Sequence, residues 1–322
     1  MSITPDDVLA AARRLAGHAL RTPLLENVEL NERVGGRVLI KAENLQRTGS
    51  FKFRGAYNRL SQLSGDERRR GVIAWSSGNH AQGVAAAAAV LDVPATIVMP
   101  ADAPKIKADN TRRLGARIVS YDRFSEDREA IARRMAAETG AIIVPSYDDP
   151  DIIAGQGTVG LEILEQSRAL DSELDQCLVC CGGGGLIGGI AMAFEDSPKT
   201  ALYSVEPEAF DDTARSLQSG RRERNADDAR SICDALLSPT PGELTFPINR
   251  ARLSGGLSVS DDAVRDAMRF AFQHLKLVVE PGGAVALAAA LQDALPLAGR
   301  CTVIVISGGN VDPAFYAGVI DG

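Results

Sequence analysis

Gln176-Cys-Leu-Val-Cys-Cys-Gly-Gly-Gly-Gly-Leu-Ile-Gly-Gly-Ile-Ala-Met-Ala-Phe194 decides the fold class. The apolar run ending at Cys181 reads as a buried strand, the four glycines as a tight turn, and the stretch from Leu186 as a helix. The same strand–turn–helix grammar recurs on both sides. Strands are expected over 37–41, 71–75, 95–99, 116–120, 141–144, 176–181, 201–205 and 301–306. Helices are expected over 81–91, 103–114, 125–139, 157–167, 186–194, 260–275 and 282–294. Alternation at this spacing means parallel sheets covered by helices. The four units between Gly71 and Tyr147 can close as a small α/β domain, 66–149. Residues 1–65 and 150–322 then form a larger one. The charged, proline- and glycine-containing stretch 219–249 reads as a long surface excursion.

The bulk properties narrow the function. The chain has 322 residues, 45% of them hydrophobic, and a formal net charge of -7. That is enough for a real core, and it gives no basic footprint for nucleic acid. No apolar run approaches the ~20 residues that cross a bilayer, and the first twenty residues lack an apolar signal core. A cytoplasmic protein is expected. Five cysteines argue against a disulfide framework. Cys177, Cys180 and Cys181 could suggest zinc, but no second ligand pair at similar spacing is present, and a buried strand explains them.

Four segments carry chemistry, each at a strand-to-helix turn or a strand end. In Glu43-Asn-Leu-Gln-Arg-Thr-Gly-Ser-Phe-Lys52-Phe-Arg-Gly55, Ser50 is a candidate N-cap, which puts Lys52 in the first helical turn. The helix dipole disfavours a cation there by roughly 0.3–1 kcal/mol and so lowers the ammonium pKa, which suits a nucleophilic amine. A surface lysine on an ordinary helix would look the same. Ser76-Ser-Gly-Asn-His80 precedes an alanine-rich helix, and its free N–H groups and hydroxyls suit a carboxylate; it is equally an N-capped turn. Gly182, Gly183, Gly184 and Gly185 let the backbone approach a phosphate closely, or make a purely structural turn. They match neither the nucleoside-triphosphate loop nor the dinucleotide fingerprint in its usual context. Ile306-Ser307-Gly-Gly-Asn310 places a hydroxyl where α/β sheets bind ligands.

Taken together and in this order, the segments resemble the fold-type II pyridoxal-phosphate enzymes, in particular the serine/threonine dehydratase and serine racemase branch. Asp148-Asp-Pro150, Ile153-Ala-Gly-Gln-Gly-Thr158 and Glu280-Pro-Gly-Gly-Ala284 extend the resemblance over nearly the whole chain. It implies two open parallel-sheet α/β domains, tryptophan synthase beta-like, with pyridoxal 5'-phosphate in the cleft between them. By similarity Lys52 would carry the cofactor and move the Cα proton, and Phe51 would pack on the ring. Asn79 would hydrogen-bond the phenolic oxygen, Gly182–Gly185 would cradle the phosphate, and Ser307 would meet the pyridine nitrogen. Ser76, Ser77, Gly78, Asn79 and His80 would hold the substrate carboxylate, although His80 and His274 read as structural and Trp75 as core.

A serine at the pyridine nitrogen cannot stabilise a pyridinium as an aspartate would, so the ring stays a weaker electron sink. Loss of a β-hydroxyl is then favoured over transamination. The implied reaction is dehydration and deamination of L-threonine, L-serine or 3-hydroxyaspartate to a 2-oxo acid and ammonia. Ser77 opens an alternative, since in serine racemases a serine here is the base on the face opposite the lysine; it can equally cap the helix or bind carboxylate. A non-catalytic binding protein on this fold would have no use for Lys52. Glu206-Pro-Glu-Ala-Phe210-Asp-Asp212 resembles a divalent-cation site, with Glu206, the Phe210 carbonyl and Asp212 as oxygen ligands for Mg2+, or Ca2+ or Mn2+; a solvated acidic turn is the other reading. Ala235 stands where the family has glycine. Arg128 is a candidate reader of a substrate β-carboxylate. A homodimer is usual for such relatives, and no C-terminal regulatory domain is expected.

Overall fold

A computed structural model describes residues 3–76, 78–103, 105–122 and 124–322, with the side chains of 105–107 left aside. Among the described residues, ten strands fall into two sheets. The larger contains β1 (Leu24–Glu26), β2 (Arg37–Ala42), β7 (Gln176–Cys180), β8 (Ala201–Pro207), β9 (Gly255–Val259) and β10 (Cys301–Ile306). Its order is β1-β2-β10-β7-β8-β9, and every pair is parallel except β1 with β2. The smaller contains β3 (Val72–Trp75), β4 (Ala95–Pro100), β5 (Arg117–Tyr121) and β6 (Ile142–Ile143), all parallel, in the order β5-β4-β3-β6.

The central strands β7 and β10 are apolar on both faces because helices cover both sides. The expected strands are present with ends shifted by a residue or two. The two unforeseen ones, β1 and β9, lie at the sheet edges and are only partly buried, so neither shows a hydrophobic signature.

Helices depart more. Pro150–Ala169 begins well before 157, because Asp149 caps it by accepting from the Asp151 and Ile152 N–H groups and Pro150 sits at its first position. Its glycines are contact points: a Cβ on Gly155 would strike the Gly55 Cα, and one on Gly157 the Gly189 carbonyl. Helix Arg128–Thr139 starts at its cap, Asp127, rather than at 125. The expected 260–275 helix turns into a five-residue π-helix, Ala271–Leu275, after Phe270. Ser50 does not cap the helix Lys52–Ser61; Phe51 occupies that position, and the buried Ser50 hydroxyl has no partner among the described residues. Backbone pairing with Gly308 places Ser50 instead.

Stretch 219–249 is more than a surface excursion. It buries Asn225, Cys233, Leu236, Thr245, Phe246 and Asn249, and it packs onto the tetraglycine turn. Trp75 is half-buried and packs against the small sheet's core of Ile73, Val98, Tyr121, Ile131 and Ala132. Among the described residues, no helix is long and apolar enough to cross a membrane.

Candidate active site

Lys52 is the first residue of Lys52–Ser61, the helix that follows β2 and the turn at Thr48 and Gly49. Its Nζ donates to the Ser146 carbonyl at 2.7 Å and lies 5.0 Å from the Phe51 ring centroid. Burial pulls its pKa down to about 8, against the opposing pull of Cys180 and Glu280. At pH 7 roughly a tenth of it is then neutral amine, against far less than a hundredth for an ordinary lysine. Gly83, on helix Asn79–Leu91, lets that helix pass close by: a Cβ there would sit 3.0 Å from the Lys52 carbonyl carbon. The Phe51 N–H donates to the Ser307 carbonyl at 3.1 Å. The lysine and the end of β10 are thereby joined directly.

Ser307 is buried at the C-terminal end of β10. It shares a hydrogen bond with the Cys180 thiol, at the end of the adjacent β7. Burial pushes that thiol up to about 11, so it stays protonated. Cys177 and Cys181 are buried too, as an apolar strand requires, and all five cysteines are free.

The tetraglycine turn sits where β7 enters helix Gly185–Ala193, with Gly184 at φ +90 as its N-cap. The leading N–H groups of any helix lack intrahelical acceptors, which makes this a ready anion site. The turn's carbonyls point the other way. Gly183 O accepts from Thr245 Oγ1 at 2.5 Å and from the Gly242 N–H at 3.2 Å, and Gly184 O from Asn249 Nδ2 at 3.4 Å. The Tyr147 ring lies against Gly183, where any Cβ would collide with it. Tyr147 shares a hydrogen bond with Ser238, and the Arg128 charge acts on it. Gly182 faces Leu236 and Ser238, and Ala235 lies beside Gly282.

The carboxylate-type turn is partly visible; Ser77 lies outside the described residues. Ser76 Oγ accepts from the Gly78 N–H at 3.1 Å. Asn79 is buried, and its Nδ2 donates to Glu280 Oε1 at 2.5 Å. His80 is not held by the turn: its Nε2 lies 2.8 Å from the Val144 carbonyl, across the smaller sheet. Burial, reinforced by the Lys52 charge, pushes its pKa down to about 3. The ring is neutral and carries its proton on Nε2. His274 pairs with Glu29 at 2.7 Å.

The acidic segment forms a separate locus. Both Glu206 oxygens accept backbone N–H groups, from Thr213 at 2.9 Å and Ala214 at 2.8 Å, so Glu206 caps helix Asp212–Ser219. Asp212 Oδ1 accepts from Asn225 Nδ2 at 2.6 Å, while its buried Oδ2 lacks a hydrogen-bond partner among the described residues. Burial raises both carboxyls, Asp212 to about 7 and Glu206 well above its ordinary range, with Asp212 adding to the effect on Glu206. Among the described residues, no group of three or more His, Cys, Asp and Glu side chains is placed to hold a metal ion. A cation here would depend on two carboxylates and backbone oxygen.

Tyr147, Thr245, Asn249, Glu280 and Asn310 belong to the site's frame without having been assigned any part in it from the sequence. The position of Tyr147 just before Asp148-Asp-Pro150, and the Glu280 and Asn310 motifs, were the available signals.

Residues 15–308 match the family model described as pyridoxal-phosphate dependent enzyme. The chain is 47% identical over 317 residues to an L-threo-3-hydroxyaspartate ammonia-lyase of Pseudomonas sp, covering 98% of both chains. It is 40% identical to a serine racemase of Schizosaccharomyces pombe, covering 98% of this chain and 96% of that one. Among solved structures, a T.th. threonine deaminase superposes with a TM-score of 0.91 at 44% identity, over 96% of this chain and 99% of that one.

Proposed function

The chain belongs to the pyridoxal-phosphate dependent enzymes, and on that premise we propose that it is an ammonia-lyase that dehydrates and deaminates L-threo-3-hydroxyaspartate, with L-threonine and L-serine as lesser substrates. The observation that carries the reading is that Lys52, Ser307 and Cys180, the last residue of the strand leading into the tetraglycine turn, lie together, with the amine's pKa lowered to about 8.

The residues fit the cofactor. A turn whose N–H groups face one way and whose carbonyls are engaged on the other suits a phosphate, and side chains at Gly183 or Gly184 would clash with the groups that hold it. When bound, pyridoxal phosphate serves as the electron sink that makes an amino acid's Cα–H acidic. The proposed roles follow. Lys52 Nζ attaches the cofactor and then takes the Cα proton, which its lowered pKa allows near neutral pH. Phe51 covers one ring face. Gly182–Gly185 bind the phosphate, Asn79 donates to the phenolic oxygen, and the uncharged Ser307 faces the pyridine nitrogen. Ser76, Ser77, Gly78 and Asn79 receive the substrate's α-carboxylate. His80 holds the turn rather than the substrate.

Arg128 would read a β-carboxylate. Its charge reaches Tyr147 at the glycine turn, as does that of the neighbouring Glu129, which pairs with Arg133 at 3.6 Å. We further propose a divalent cation, Mg2+ first, between Glu206, the Phe210 carbonyl and Asp212, supported by the unpartnered Asp212 Oδ2. Added Mg2+ at a hundredfold its Kd should then stabilise EDTA-treated protein by about 2.7 kcal/mol, and Asp212→Asn should abolish that gain. The domain division at 66–149 is proposed from the strand–helix pattern, a cytoplasmic location from the composition, and a homodimer from the family resemblance.

Ammonia release from a panel of the three hydroxy amino acids, with chiral analysis of recovered substrate, tests the reading. Steady 2-oxo acid and ammonia with hydroxyaspartate ahead is the expected result. Racemised substrate without net ammonia would instead establish the serine-racemase alternative that the Schizosaccharomyces pombe relative represents.

A further inference from the structure

Asn79 sits at the start of its helix with both ends of its amide engaged by residues far away in the chain. Nδ2 donates to Glu280 Oε1 at 2.5 Å, and Oδ1 accepts from Asn310 Nδ2 at 2.8 Å. Asn310 Nδ2 donates in addition to the Thr48 carbonyl at 2.6 Å, in the turn before Lys52. Glu280 is itself fixed: it is buried, its N–H donates to the Gly308 carbonyl at 3.1 Å, and a Cβ on Gly308 would collide with its Oε1.

These partners leave the amide one orientation. A flip would set Asn79 Oδ1 against a carboxylate and its NH2 against the NH2 of Asn310. It would lose two buried hydrogen bonds and create two repulsive contacts. In the observed orientation one Nδ2–H is spent on Glu280 and the other remains to donate. We infer that Glu280 and Asn310 are positioning residues that lock the Asn79 amide so that its second N–H serves the cofactor's phenolic oxygen, an inference that rests on the reading of Asn79 given above. The titratable groups facing this arrangement are Lys52, on its own helix, and Cys180, at the end of β7; Glu280 acts electrostatically on both.

A donor to the phenolic oxygen stabilises its ionised form and weakens its hold on the proton it shares with the Lys52 nitrogen. Losing the donor raises the pH midpoint of the bound cofactor's visible absorbance band. The test is a spectral pH titration of holoenzyme carrying Asn79→Ala, Asn310→Ala or both, with far-UV circular dichroism to establish folding. Asn79→Ala should raise the midpoint by about one unit, tenfold in the proton equilibrium. Asn310→Ala should raise it by about half a unit, roughly threefold, and should add nothing in the Asn79→Ala background. Glu280→Ala removes a charge as well, so its shift is compared between the two backgrounds. The wild-type shift should lie above the other, and this pair carries the test if Asn310→Ala does not fold. Shifts that persist undiminished without Asn79, or an unmoved midpoint in Asn310→Ala when Asn79→Ala moves it, overturn the inference alone. An unmoved midpoint in Asn79→Ala overturns the reading of Asn79, and the inference with it.

Discussion

Lys41 and Lys52 are two lysines of the same segment, both drawn away from water, and they meet opposite surroundings. Lys41, on β2, is fully buried. Its Nζ donates to Glu162 at 2.6 Å, to the Thr22 carbonyl at 2.8 Å and to Gln166 at 2.9 Å. Arg54, two residues past Lys52, closes the same cluster by pairing with Glu43 at 2.8 Å and Glu162 at 2.6 Å. Two cations thus meet two carboxylates, and every charge has a partner. Lys52 meets a carbonyl instead, and Glu280 acts on it only from farther off. Burial lowers both pKa values, but at Lys41 the nearby carboxylates oppose it. A buried lysine with a carboxylate partner is a structural ammonium. One with a carbonyl partner is a poised amine, and the difference is made by its neighbours rather than by the residue.

The sharpest way to break the contrast is Lys52→Ala. The visible band of the bound cofactor should disappear, and turnover should fall by at least the ~10²–10⁴-fold that a positioned proton-transfer group contributes, with the thermal melt little changed. Lys41→Met should do the converse. Leaving one buried negative charge uncompensated costs about 3–5 kcal/mol, read by denaturant unfolding, and Lys41→Met with Glu162→Gln should recover much of it. If Lys41→Met lost the cofactor but kept its stability, the division of labour would be wrong.

The pH dependence sharpens the same point. Lys52 reacts with the aldehyde only as neutral amine, so the rate of band formation on adding pyridoxal phosphate to apoprotein should rise with pH and level off above about 8. An ordinary lysine would keep gaining rate to ~10.5. A midpoint near 10 would mean that the protein does not desolvate this amine. The linkage sign agrees: the folded pKa lies below the unfolded value, so unfolded chains bind more protons between the two, and apoprotein stability should rise as pH increases from about 8 toward 10.5. The smallest effect belongs to the exposed pair Arg21–Glu165, with side chains 54% and 70% exposed. Arg21→Ala should change stability by no more than about 1 kcal/mol, which marks how much burial matters to the other two.

Legibility in the sequence followed locality. The β7 strand, the glycine turn and the helix after it are contiguous, and they were readable because a buried parallel strand is apolar on both faces. Edge strands β1 and β9 were not, since half-exposed strands carry no such pattern. Helix Pro150–Ala169 was read short at its start because Gly155 looks like a helix breaker until the helix it touches is known. Its true start, Asp149-Pro150, was a visible cap signal. The reading of 219–249 as surface was incomplete for a related reason. Thr245 and Asn249 are polar because they bond the glycine turn's carbonyls, and polarity alone could not tell that from exposure to water.

By itself, the sequence determined the alternation of strands and helices, the lysine at a helix start, the glycine turn and the serine at a strand end. Each depends on residues within a few positions of one another. The tertiary structure decided which charges are neutralised, which face of the glycine turn is left for an anion, and which way the Asn79 amide points. Those outcomes depend on pairs such as Asn79 with Glu280, 201 residues apart, and Lys41 with Glu162, 121 apart. Only the crossing of helices and strands brings such partners within hydrogen-bond reach, and no local pattern encodes that distance.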